Sequence, residues 1–297
     1  MAETGHKTFL ATFPAEEKAV LTARSDAAGL RHLAGHLGLI ALISLLILLR
    51  VPLWPLLLPV QGVLLVFLFT LEHECTHKTP FASERLNEAA GRACGLVLVL
   101  PFEWFRYFHL AHHRWTNLPG KDPELDSDKP ASLRAWTWHV SGLPYWNAGI
   151  ALLWSQALGR VQAPYLPEAA LPRMQREARI LLALYALAVA SLLFSPALLW
   201  LWLVPVLLGQ PLLRLYLLAE HGDCPQVADM FLNTRTTFTT RIVRFLAWNM
   251  PYHAEHHTYP AVPFHQLPAL HQRMKAHLKV TADGYAEFTR DYLTRRR

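Results

Sequence analysis

The chain has 297 residues, 53% of them hydrophobic and only 17% charged, with a formal net charge of +6. Typical soluble domains carry about 25% charged residues, so an ordinary soluble protein is excluded. The three cysteines, Cys75, Cys94 and Cys224, have no paired spacing, which excludes a disulfide framework and a thiolate metal site and favours a reduced, cytosol-facing protein.

Residues 1–32 are polar and mixed in charge, and Phe13-Pro14-Ala15-Glu16-Glu17-Lys18 reads as a helix start, with proline in the first turn and acids behind it. No basic segment followed by a short apolar core and a cleavage site occurs there, so no signal peptide is expected. From Leu37 to Leu71 the only charge is Arg50. As one helix this stretch would be roughly 52 Å long, against a hydrocarbon core of about 30 Å. It must turn, and Arg50 with Pro52, Pro55 and Pro59 marks the place. Spans are expected near 33–50 and 54–72.

The second span runs into His73-Glu74-Cys75-Thr76-His77. Residues four apart share a helix face, so both imidazoles can reach one metal ion. Residues 102–115 look helical and place His109, His112 and His113 at i, i+3 and i+4; Asn117-Leu118-Pro119-Gly120 ends that helix. The stretch 145–158, rich in aromatics, is expected at the membrane interface. Residues 180–213 carry no charge and break at Ser195-Pro196, giving spans near 179–196 and 198–219 that end at Glu220-His221. The third cluster, His253-Ala254-Glu255-His256-His257, lies in the polar residues 220–297, which close on Arg295-Arg296-Arg297.

These readings give an all-α integral membrane protein, one domain over 1–297, with four transmembrane helices in two hairpins. A cytosolic helical cap is made by 73–178 and 220–297. Of the 28 lysines and arginines only Arg50 sits at an outer turn, and Arg214 lies late in the fourth span. Basic residues near the span ends, such as Arg24, Arg31, Arg173, Arg176 and Arg179, put the termini and the histidines on the cytosolic side, as in a bacterial inner membrane or its equivalent. No glycine-rich phosphate loop or dinucleotide fingerprint occurs, so the chain has no motif of its own for a nucleotide electron carrier. No nucleic-acid partner is expected; the positive charge suits anionic lipid headgroups or acidic proteins.

The three pentapeptides hold 8 of the 16 histidines in 15 residues, where random placement would put about one. With His221 there are nine imidazoles, more than a zinc ion with three or four protein ligands can use. Divided between two ions they give four or five each. Imidazole suits iron, copper and zinc alike, so ligand type alone does not name the metal. Ligating histidines need their second nitrogen held, and Glu74, Glu103, Asp122, Glu220 and Glu255 are near enough in sequence to do so. His32 and His36 also form an HxxxH pair, but no acids accompany them and they precede the first span, so they are read as a decoy.

HxxxH, HxxHH and HxxHH, in this order around two apolar hairpins, resemble the membrane fatty acid desaturase superfamily, which includes acyl-lipid and acyl-CoA desaturases, alkane hydroxylases and carotenoid hydroxylases or ketolases. The resemblance runs from residue 33 to about 270, taking in Asn117–Glu124 and Asn249–Pro260. It implies a non-haem di-iron centre, two Fe ions with O2 as co-substrate, attacking an unactivated C–H bond of a long apolar substrate. The implied ligands are His73, His77, His109, His112, His113, His253, His256 and His257. His221 stands where family members place an additional histidine ligand. The resemblance also implies an external electron donor: a ferredoxin, a rubredoxin or a cytochrome b5-like protein.

Three departures argue against the acyl-CoA and front-end classes. The first box has three intervening residues where stearoyl-CoA-type enzymes have four. The third begins with His253 where front-end enzymes have glutamine, and the His-Pro-Gly-Gly of a fused cytochrome b5 is absent. Fatty acyl lipid desaturation is the expected reaction. Hydroxylation of a fatty acyl, alkane or carotenoid-like substrate by the same site is the alternative, since the histidine before Gly222 is similar to that of alkane hydroxylases. A metal transporter or sensor is the remote third reading; it would place ionisable ligands at mid-depth in the bilayer, where the expected spans have no His, Asp or Glu.

Overall fold

The computed structural model describes residues 5–296; Arg297, the last of the basic triplet, lies outside them. Almost every element is a helix. The one exception among the described residues is a two-residue parallel pairing of Thr236–Thr237 with Thr281–Ala282.

Three helices are long and apolar enough to cross a membrane: Ala15–Leu48, Trp54–Thr76 and Leu199–His221. In the first, Pro14 precedes the opening turn, and Ser25 caps the Asp26–Leu48 segment by accepting from the Ala28 N–H at 3.2 Å. The chain turns where the prolines expect it to, between Leu48 and Trp54. Arg50 and Leu53 there take the left-handed conformation that non-glycine residues seldom adopt.

The stretch expected to span near 179–196 behaves differently. Its helix, Leu171–Ser191, begins in polar sequence and carries Arg173, Arg176, Glu177 and Arg179 in its first half. Only 180–191 is apolar, about 18 Å of helix against a hydrocarbon core of about 30 Å. Glu177 accepts from Arg92 Nη1 at 2.5 Å and from the Glu103 N–H at 2.8 Å, which ties that first half to the helices around the second histidine cluster. The expected interfacial piece is a helix, Leu143–Ala157. It packs on Leu171–Ser191 through Leu153, Ala157, Ala178 and Leu181, and leaves Ile150 and Trp154 exposed.

The helices that end in the first cluster and in His221 pack more closely than side chains allow. A Cβ on Gly62 would lie 2.1 Å from the Pro205 carbonyl oxygen, so glycine is required at this crossing. Eleven residues separate Gly62 from His73 and twelve separate Gly209 from His221. Both histidines therefore emerge about 16–18 Å beyond the crossing, at one level.

The two decoy histidines are structural. His36 is fully buried, its Nε2 2.9 Å from the Leu64 carbonyl oxygen while Trp248 Nε1 donates to its Nδ1 at 3.4 Å. His32 Nε2 lies 2.8 Å from the Phe245 carbonyl oxygen. They fasten the first apolar helix to the second and to the segment leading into the third cluster.

Candidate metal centre

Four segments supply imidazoles to one buried chamber. His73 lies in the last turn of the Leu68–Thr76 helix and His77 caps it. The Phe102–Trp115 helix presents His109, His112 and His113, the helix from Val204 ends on His221, and the short His253–Thr258 helix presents His253, His256 and His257. Nine rings converge from positions up to 184 residues apart (73 to 257).

They fall into two sets. One ring nitrogen each from His73, His77, His109, His113 and His256 lies within 4.8 Å of all the others, and the same holds for His112, His221 and His257. His253 joins the second set, its Nε2 3.2 Å from His221 Nε2. The sets touch where the rings of His113 and His257 stack, 4.0 Å apart and 6° from parallel.

Within the sets, Nε2 atoms face one another: His77 with His109 at 2.8 Å, His113 with His256 at 3.2 Å, and His112 with His221 at 3.2 Å. Two nitrogens each about 2.1 Å from a shared metal ion, at angles between octahedral and tetrahedral, stand about 3.0–3.4 Å apart. Both ring nitrogens of His73 and Nε2 of His257 are buried without a hydrogen-bond partner. Such groups are costly without a partner, and in a neutral imidazole one nitrogen carries a lone pair that a metal ion can accept. The residues present fit two metal ions.

Three of the outward-facing nitrogens are held by hydrogen bonds. His112 Nδ1 is 3.0 Å from both Asp122 oxygens, His257 Nδ1 is 3.1 Å from Thr116 Oγ1, and His221 Nδ1 is 3.1 Å from the Asn233 carbonyl oxygen. Each of these three contacts turns Nε2 inward. His256 Nδ1 lies 3.4 Å from Glu74 and His253 Nδ1 3.5 Å from Glu220, carboxylates that stand beside these nitrogens without hydrogen-bonding to them. Glu103 and Glu255, also expected to hold cluster histidines, touch none of them. Glu103 accepts from Arg173 Nε at 2.9 Å and Arg92 Nη2 at 3.2 Å; Glu255 accepts from Thr236 Oγ1 at 2.5 Å and pairs with His271. Asn233 supports His221 by its carbonyl, and its side chain donates to the Thr116 carbonyl at 3.0 Å; Asp229 caps the Met230–Asn233 turn and pairs with His6. Thr116 was not singled out by the sequence, although a hydroxyl next to a histidine-bearing helix is the kind of residue that can take this role.

The electrostatics suit ligation. Burial, and then the crowding of neighbouring imidazoles, hold His109, His113, His253, His256 and His257 well below the usual histidine pKa, so the rings are neutral. His112 differs: burial lowers it, but Glu124 and Asp122 together carry it above the usual value. Asp122, raised by burial, is brought below its usual value by His112 and by the N–H groups of Glu124 and Asn117.

The fatty acid desaturase family model matches residues 51–289. The sn-1 oleoyl-lipid 12-desaturase of Picosynechococcus sp. is 32% identical over 124 residues, 38% of this chain and 36% of that protein. A sphingolipid delta(4)-desaturase/C4-monooxygenase of Mus musculus is 28% identical over 207 residues, 66% of this chain and 58% of that protein. An acyl-lipid 8-desaturase of Rebecca salina is 26% identical over 240 residues, 73% and 56% respectively. The chain thus spans about a third to three fifths of the length of these relatives.

Proposed function

Because the chain belongs to the fatty acid desaturase family, we propose that it is a membrane oxidoreductase whose nine histidines hold two irons and which desaturates a fatty acyl chain. The observation that carries this reading is the division of the imidazoles into two sets whose Nε2 atoms face one another, with those of His73 and His257 buried without a partner. His73, His77, His109, His113 and His256 would hold one ion, and His112, His221, His253 and His257 the other. Two irons there, with O2 and electrons from an external donor, would supply the oxidising power to remove hydrogen from an unactivated C–H bond.

The protein's own contribution is orientation and exclusion of water. Asp122, Thr116 and the Asn233 carbonyl fix the rings of His112, His257 and His221 with Nε2 turned inward, so the ligand set is arranged before metal arrives. Burial keeps His109, His113, His253, His256 and His257 neutral and limits side reactions with water. A long apolar substrate would come from the bilayer and be aligned by the shape of its pocket. The proposed topology has four spans, Leu171–Ser191 completing the third with the residues after it, and a cytosolic metal centre, supported by the basic residues near the span ends.

Hydroxylation is the second reading, favoured by one specific finding: the mouse relative's name joins a desaturase to a C4-monooxygenase. The same ligands serve both outcomes. High-accuracy mass spectrometry of lipids from cells with and without the protein separates them. Lipids lighter by two hydrogens support desaturation, lipids heavier by one oxygen support hydroxylation, and an unchanged lipid profile counts against both.

A further inference from the structure

The helix face that brings His221 to the metal centre carries two more polar side chains. Gln210 and Arg214 are four residues apart and His221 follows seven later, so the three lie on one stripe, with Arg214 about 10 Å below His221 along the axis. Gln210 is 1% exposed, and both ends of its amide lack a hydrogen-bond partner. Arg214 Nε and Nη2 are shielded and equally unpartnered, and no carboxylate forms an ion pair with this guanidinium among the described residues. The Tyr145 ring sits 4.5 Å from the guanidinium carbon, but its hydroxyl is committed elsewhere, donating to the Leu98 carbonyl at 2.8 Å.

The free pair of atoms is informative. Nε and Nη2 form the side edge of the guanidinium, where two N–H bonds point in parallel and match the two oxygens of a carboxylate or phosphate. A cation placed within an apolar helix with no carboxylate in ion-pair contact is costly, and where such residues occur they mark a binding role. The Gln210 amide, one turn deeper, adds a donor and an acceptor.

We infer that Arg214, with Gln210, is the anchor for the oxyanion head of the acyl substrate, a fatty carboxylate or a lipid phosphate. This deepens the proposed function and rests on it for the word substrate. Held on the same face as His221, the head is a fixed distance from the metal centre, which makes Arg214 a specificity-determining residue that sets how far along the chain oxidation falls.

The test measures binding, so it does not depend on turnover. Purified iron-loaded protein in detergent is titrated with palmitate, with palmitoyl lysophosphatidate and with neutral hexadecanol. The expected result is that at least one anionic probe binds more tightly than hexadecanol, and that Arg214→Gln weakens that probe about tenfold while leaving hexadecanol unchanged. The probe that responds tells carboxylate from phosphate. Arg214→Lys keeps the charge but loses the parallel N–H pair and should recover only part of the affinity; it carries the test if the glutamine variant does not fold. The inference is overturned if neither anionic probe outbinds hexadecanol, if the loss is below about threefold, or if hexadecanol loses as much. A protein that binds these probes through Arg214 yet oxidises no lipid would sink the reaction and spare the anchor.

Discussion

Gly62 and Gly209 meet backbone to backbone where the helices leading to His73 and His221 cross. A Cβ on Gly209 would lie 2.4 Å from both the carbonyl carbon and the oxygen of Gly62. The contact is distant from the metal centre, yet it fixes the relative height of two helices whose last residues belong to different imidazole sets.

The first prediction follows from that contact. Gly209→Leu must force the helices apart, at a cost of about 1–3 kcal/mol for overpacking, and should also reduce iron content by shifting His221 away from His112 and His253. Gly209→Ala should show the same changes in milder form. Thermal unfolding and metal analysis of the purified variants check it; a leucine variant with full iron and unchanged Tm would contradict a tight crossing.

A second prediction concerns acid. His109, His113, His253, His256 and His257 are all depressed well below the usual value by burial and by one another, and His77 is lowered to about 3. In the unfolded chain they take up protons near pH 6.5. Below that pH the unfolded state binds protons that the folded state refuses. Stability is therefore fully present above about pH 6.5 and is lost as pH falls from there toward the folded-state values. His112, raised, works in the opposite direction and is outnumbered. The Tm of the metal-free protein should fall steadily from about pH 7 to about pH 5, and the iron-loaded protein should release metal in the same direction, because ligation needs neutral imidazole. A Tm that is flat or rises on acidification over this window would rule the argument out.

The histidine clusters were legible in the sequence because helix periodicity alone puts i, i+3 and i+4 on one face, and the two apolar runs were legible from their lack of charge. What surrounds the clusters was less so. Glu103 and Asp122 are both near the second cluster in sequence. Helical phase turns Glu103, six residues before His109, about 120° away from it, and there it anchors the helix to Arg92 and Arg173. Asp122 reaches His112 only because the chain reverses after Asn117, whose left-handed conformation and N–H bond to Asp122 at 2.6 Å close the loop. No periodicity announces such a reversal. Glu255 lies between ligating positions on a helix too short to give a phase by eye, and it faces Thr236 from a distant segment. The helix Leu171–Ser191 begins before the span expected near 179–196, because hydropathy locates where charge stops and not where the helix begins; its first half is a charged strut bonded to Arg92 and to the Glu103 N–H.

The last prediction sets His221 against His36, two buried histidines in apolar helices, the first proposed as a ligand and the second held within the protein. His221 has its Nδ1 engaged by the Asn233 carbonyl and its Nε2 3.2 Å from those of both His112 and His253. His36 has both nitrogens used within the protein, at the Leu64 carbonyl and the Trp248 indole. Wild-type protein made with adequate iron should carry about two irons, the number that nine imidazoles can serve. His221→Ala should take a ligand from the smaller set, lower the iron content toward one and nearly abolish turnover. His36→Ala should keep both irons, because none of its contacts faces the cluster. It should nevertheless lose about 1–3 kcal/mol of stability through the Leu64 carbonyl and Trp248 N–H left without a partner. Metal analysis, Tm and lipid turnover on the two purified variants separate the roles. If His221→Ala retains both irons and near-normal turnover, His221 is not a ligand and the second ion rests on His112, His253 and His257. If His36→Ala loses iron while folded, the first apolar helix takes part in the metal centre, and the division between structural and ligating histidines is wrong.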